Sequence, residues 1–69
     1  MVEVFKTNIN CADTANMLVS ELQHVFPGAH ISFDLDDCDR ILRIHGNEVA
    51  SARVIQHLAR RGHSCEVLD

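Results

Sequence analysis

Four side chains able to bind metal stand far apart along the chain: Cys11, Asp13, Cys38 and His63. Thiolate and imidazole are soft to borderline donors and a carboxylate adds negative charge. The set therefore suits a soft or borderline cation. No two of them have the close spacing that is diagnostic of a metal site, so whether they meet depends on the fold. Cys11 stands just ahead of a segment with helical periodicity. At a helix N-terminus the dipole and the free N–H groups favour a thiolate, which makes Cys11 the leading donor. The alternative is structural: Cys11 as a small loop residue, His63 as a polar turn residue and Cys38 as incidental. Cys65 reads as a core thiol, since free cysteine packs as a small hydrophobe. The opposite end holds His24, His30 and His45: a cross-strand His30–His45 pair can bind a metal, but it lies on the outer sheet face with His24 in the helical layer, and it reads as a solvated surface pair. The acidic run 34–39 is too short for a calcium loop and lacks the central Gly and closing Glu. It reads as a solvated turn biased toward cations or basic partners.

The elements that must position these groups follow from local pattern. Val2, Glu3, Val4 and Phe5 form a first strand that gives way to a loop at Thr7, Asn8, Ile9 and Asn10. Which face of that strand is buried stays open, because Val2 and Val4 oppose Phe5. Ala15, Leu18, Val19, Leu22, Val25 and Phe26 then recur at three- and four-residue steps. They predict a helix capped by Asn10, with Asp13 in its first turn, and ended by Pro27 and Gly28. Ile31, Phe33 and Leu35 alternate with polar residues, and after the acidic run the chain resumes with residues 41–45, a hairpin. Pairing Phe33 with Leu42 and Ile31 with Ile44 keeps the apolar side chains on one face and sets His30 opposite His45. A second helix is predicted after Gly46, with Asn47 as cap and Ala52, Ile55, Leu58 and Ala59 as its stripe. Gly62 stops it, and residues 64–68 form a last strand.

This order, strand, helix, strand, strand, helix, strand, is a single α+β ferredoxin-like βαββαβ domain over residues 1–69. It predicts a four-stranded antiparallel sheet with two helices on one face. Tracing chain direction collects three connections at one end: loop 8–12, hairpin tip 36–39 and turn 62–63. Cys11, Cys38 and His63 are predicted there together, with Asp13 nearby.

Composition bounds the function. A chain of 69 residues holds one domain, and 46% hydrophobic with 23% charged residues is the balance of a folded soluble protein. With only six Lys and Arg and a net charge of −4, the chain is a poor nucleic-acid binder. No apolar run is long enough for a membrane span or signal core, so no membrane association and a cytoplasmic location are expected. Three widely spaced cysteines fit reduced thiols better than a disulfide framework. No Ser-His-Asp, Walker or glycine-rich phosphate motif is present, so no enzymatic activity is expected. Acylphosphatases share the topology but need an Arg after the first strand and an Asn in the hairpin region. RNA-recognition domains need aromatic platforms, and this chain has neither Tyr nor Trp.

On these residues the chain resembles, over nearly its whole length, the heavy-metal-associated domain of copper chaperones and metal-pumping ATPases. The family's strand-end motif, with Met ahead of a Cys-x-x-Cys, is represented by Asn8-Ile9-Asn10-Cys11-Ala12-Asp13-Thr14. Its closing segment is represented by residues 59–68. The resemblance implies a non-enzymatic domain that binds or transfers copper(I) or zinc. The motif is degenerate: Thr14 stands in place of the second cysteine and Ile9 in place of the methionine. One protein thiolate is then left where the family uses two. His63 falls where some relatives carry an assisting histidine. A site of Cys11 with His63, Asp13 and Cys38 is one expectation, and two chains sharing a metal through paired Cys11 thiols is another. The alternative function is a metal-free docking or oligomerisation module, with a protein partner or a homodimer, that has kept only the fold.

Overall fold

The computed structural model describes residues 1–68. Its elements are β1 (Val2–Thr7), α1 (Ala12–Val25), β2 (His30–Asp34), β3 (Ile41–His45), α2 (Ser51–Arg60) and β4 (Cys65–Val67). The strands form one antiparallel sheet in the order β2-β3-β1-β4. This is the α+β ferredoxin-like arrangement. No helix among the described residues is long and apolar enough to cross a membrane.

The hairpin register is the one that the apolar alternation requires: Phe33 opposes Leu42, Ile31 opposes Ile44 and His30 opposes His45. In β1, Phe5 and Thr7 point into the core while Lys6 faces out, so the Phe5 face is the buried one. Thr7 pairs with Cys65 as the last residue of the strand and does not begin the loop. Leu18 and Leu22 of α1 and Val54 and Leu58 of α2 meet Phe5, Leu42 and Ile44 in a single core. Ile41 lies on the opposite sheet face, opposite Lys6 and Asp34, and is nevertheless buried.

Four local expectations are corrected. Cys11, not Asn10, is the N-cap of α1, and the Ala15 amide closes the first turn on the Cys11 carbonyl at 3.0 Å. The cause is Ile9, which is drawn fully into the core and leaves Asn10 exposed beyond the helix. Ala50, not Asn47, is the N-cap of α2. Val49 is buried, which holds the preceding segment against the core before the helix can begin. The α2 stripe runs through Val54, Ile55 and Leu58, whereas Ala52 and Ala59 are exposed. At 3.6 residues per turn, anchoring on Leu58 brings 54 and 55 inward and turns 52 and 59 away. The last strand is also shorter than expected, since Ser64 and Leu68 lie outside it.

The helices are clamped together by Glu21. The His57 Nε2–H donates to its Oε1 at 2.7 Å, while Arg61 donates through Nε at 3.1 Å and through Nη2 to Oε2 at 2.8 Å. These donors hold the Glu21 carboxyl below its ordinary range, the His57 hydrogen bond contributing most. Each helix ends before a left-handed glycine, Gly28 at φ +85° and Gly62 at φ +82°, a conformation that any side chain would strain.

Candidate functional site

The end of the molecule that carries Cys11 is assembled around Thr7. The Thr7 hydroxyl donates to the Arg40 carbonyl at 2.6 Å and accepts the Ile9 amide at 3.2 Å, while the Thr7 amide donates to the Asp39 carbonyl at 3.1 Å. One residue on, the Asn8 Oδ1 accepts the Ser64 amide at 3.0 Å. The segment after β1 is thus bonded both to the end of the β2–β3 connection and to the α2–β4 turn. The three connections expected to converge do so, through hydrogen bonds made by the backbone and by Thr7 and Asn8.

Cys11 is exposed at the α1 N-cap. Its sulfur lies over the first helical turn, where the Thr14 amide, then the Asp13 amide and the Thr14 hydroxyl, lower the thiol pKa. Burial and the Asp13 carboxylate oppose them. Cys11 makes no side-chain capping hydrogen bond. The effect is therefore that of first-turn donors on an exposed thiol. Thr14, which replaces a second thiol in the resemblance, is itself one of the groups acting on the first.

The remaining expected ligands are distributed as follows. Asp13 is exposed in the first turn of α1, and His63 is half-buried in the turn after Gly62. Cys38 is exposed at the hairpin tip, between Asp37 and Asp39. Among the described residues, one group of three candidate ligands lies with its donor atoms within 4.8 Å of one another: Asp37, Cys38 and Asp39. Cys11, Asp13 and His63 are not members of it. The tip is ordered by its own contacts: the Asp39 amide donates to Asp37 Oδ1 at 2.8 Å, and Lys6 Nζ lies 3.8 Å from Asp39. Arg40, at φ +47°, turns the chain into β3 and donates to the Leu35 carbonyl. The pole thus brings the segments together, with Cys38 and its acidic neighbours as a cluster separate from Cys11.

Cys65 is half-buried against the core, and burial, followed by the Glu66 charge, raises its pKa to about 11. It is a packing thiol, as the alternation in the last strand indicates. At the opposite end, His30 and His45 are directly paired and exposed. His24 is turned along its own helix, with Nδ1 2.9 Å from the Ser20 carbonyl.

Sequence reasoning missed Thr7 and Asn8. A threonine that ends an apolar alternation on the same face as Phe5 is the signal that could have found Thr7. The Asn8 bond spans 56 positions and has no local signature. Comparison of the chain with protein-family models, curated proteins and solved structures finds no match.

Proposed function

We propose that this is a non-enzymatic domain of the heavy-metal-associated type that offers a single thiolate, Cys11, to a soft or borderline ion such as copper(I) or zinc in a reducing, cytoplasmic setting. The observation that carries the reading is the exposed Cys11 thiol at the α1 N-cap, its pKa lowered by the amides of Thr14 and Asp13. A thiolate is the form that binds soft metals. It stands on a loop tied to two other segments through Thr7 and Asn8, so the donor is held in place before metal arrives. One thiolate makes an incomplete site. His63, Asp13 and Cys38 are the further donors this reading draws on at the same pole, and a partner's thiol completes the coordination in the transfer reading. That partner is a second copy or another protein.

A second reading, a docking or oligomerisation module without metal, is favoured by a different observation. The compact three-donor group of the described residues does not include Cys11. The two readings separate in one experiment. Copper(I), and separately zinc, is titrated under reducing conditions into the 15N-labelled protein, with Cys11→Ser as control. Saturable shifts of the Cys11 to Thr14 amides that vanish in the variant support the metal reading. No response at that pole removes it, and dimerisation without metal and without Cys11 establishes the docking reading.

A further inference from the structure

We infer that His30 and His45 form a second, independent site, a two-imidazole chelate for a divalent borderline cation at the end of the sheet remote from Cys11. The first support is register. The two residues are direct partners across β2 and β3, and partners in an antiparallel ladder project from the same face with Cβ atoms about 5 Å apart. Zinc–imidazole bonds of about 2.0–2.1 Å set two donor nitrogens roughly 3.3 Å apart in a tetrahedral site. Two rings rooted about 5 Å apart reach that separation by side-chain rotation alone.

The second support is availability. Among the five histidines of the chain, His24 is engaged with the Ser20 carbonyl and His57 with Glu21, and His63 belongs to the Cys11 end. Among the described residues, neither His30 nor His45 makes a side-chain hydrogen bond or ion pair, so both rings have nitrogens free to ligate. The third is location. His30 and His45 alternate with the buried Ile31 and Ile44, so both side chains project from the sheet face turned away from the core. Both residues border an open groove of about 1060 Å³ at this end of the sheet that also takes in Phe26, Val49, Glu48 and Arg53. Its charges are balanced: Arg53 is drawn over the Phe26 ring, 5.8 Å from the centroid, and Glu48 contributes a carboxylate. Imidazole donors select zinc, nickel or copper(II) over magnesium or calcium, and water fills the remaining positions.

The test is a zinc titration of the 15N-labelled protein, with magnesium as the comparison ion and imidazole and amide signals followed at both ends. Saturable one-to-one shifts centred on His30 and His45, absent with magnesium, are expected. His30→Gln and His45→Gln, both at exposed positions, each lower the affinity by roughly tenfold or more, since even loss of an outer partner of a metal ligand costs that much. His24→Gln leaves it unchanged. Shifts that do not saturate, shifts confined to the Cys11 pole, or single variants that bind as well as the parent overturn the proposal. Because the readout is resolved by residue, failure here leaves the Cys11 reading standing, and the reverse also holds.

Discussion

Replacing Thr7 by valine removes the pin of the Cys11 pole while keeping the shape of the side chain. Thr7 is 6% exposed, and its hydroxyl joins the Arg40 carbonyl to the Ile9 amide. Valine fills the same volume, so no cavity term arises, and the change isolates the hydrogen bonds. The Ile9 amide is buried and would be left without a partner, at a cost of about 1–3 kcal/mol. The half-buried Arg40 carbonyl loses a bond worth about 0.5–1.5 kcal/mol. Together these amount to about 1.5–4.5 kcal/mol, against a total stability of roughly 3–10 kcal/mol for a chain of this size. At about 4–8 °C per kcal/mol, the thermal midpoint falls by roughly 6–36 °C. Urea unfolding followed by circular dichroism measures the loss directly, and hydrogen exchange at Ile9 reports the freed amide. Thr7→Ser keeps the oxygen and gives up one methyl, about 1 kcal/mol, so it must lie between the parent and valine. A valine variant within about 0.5 kcal/mol of the parent, or a serine variant less stable than valine, refutes the assignment of Thr7 as the pin.

Three further outcomes are expected. Alkylation at neutral pH, read by peptide mass spectrometry, labels Cys11 well before Cys65, because the Cys11 thiol pKa is lowered and that of Cys65 is raised to about 11. Thr14→Val slows labelling of Cys11 and leaves Cys65 unchanged. Leu58→Ala costs about 2–5 kcal/mol in urea unfolding, whereas Ala52→Gln, on the exposed side of the same helix, stays within about 0.5 kcal/mol of the parent. Glu21→Gln destabilises the protein at neutral pH by an amount that shrinks in acid. The native Glu21 carboxyl is held below its ordinary value of 4.5, so its stabilisation is fully present above that value. It is lost as pH falls through the lowered native value. Parent and variant urea midpoints should therefore converge below pH 4, and a constant gap would show that the His57 and Arg61 contacts act without the carboxylate charge.

The legible parts of the molecule are those written in periodicity. Two-residue alternation in 31–35 and 41–45 fixes the hairpin register uniquely, because a slip by one residue would move Ile31, Phe33, Leu42 and Ile44 to the wrong face. The left-handed positions at Gly28 and Gly62 are equally visible, since few other residues tolerate them. The illegible parts are those decided by tertiary burial. Ile9 and Val49 are isolated apolar residues in segments that read as loops, yet each is anchored in the core. That anchoring moves both helix starts past the asparagines that local capping preference favours. The α2 face was misjudged for a related reason: its alanines fit either side of a helix, and only Val54 and Leu58 carry enough apolar surface to choose. At the candidate site, convergence of the three segments was legible from chain direction alone. That a compact donor group forms around Cys38 without Cys11 was not, because it depends on the Asp37 and Asp39 contacts inside the hairpin tip.

The manner in which the Cys11 loop is braced bears on how cleanly its chemistry can be probed. The bonds that position the loop run from the Thr7 hydroxyl, the Thr7 amide, the Asn8 side-chain carbonyl and the Cys11 backbone carbonyl. None uses the sulfur, and the thiol makes no capping hydrogen bond. Serine at position 11 therefore keeps every contact that shapes the pole and is itself a favoured N-cap residue. The Cys11→Ser protein should be at least as stable as the parent in urea, so any loss of metal response in it reports on the thiolate alone. If the variant instead unfolds earlier, the sulfur carries structural weight through contacts within the first turn, and the loop is not preorganised independently of its donor.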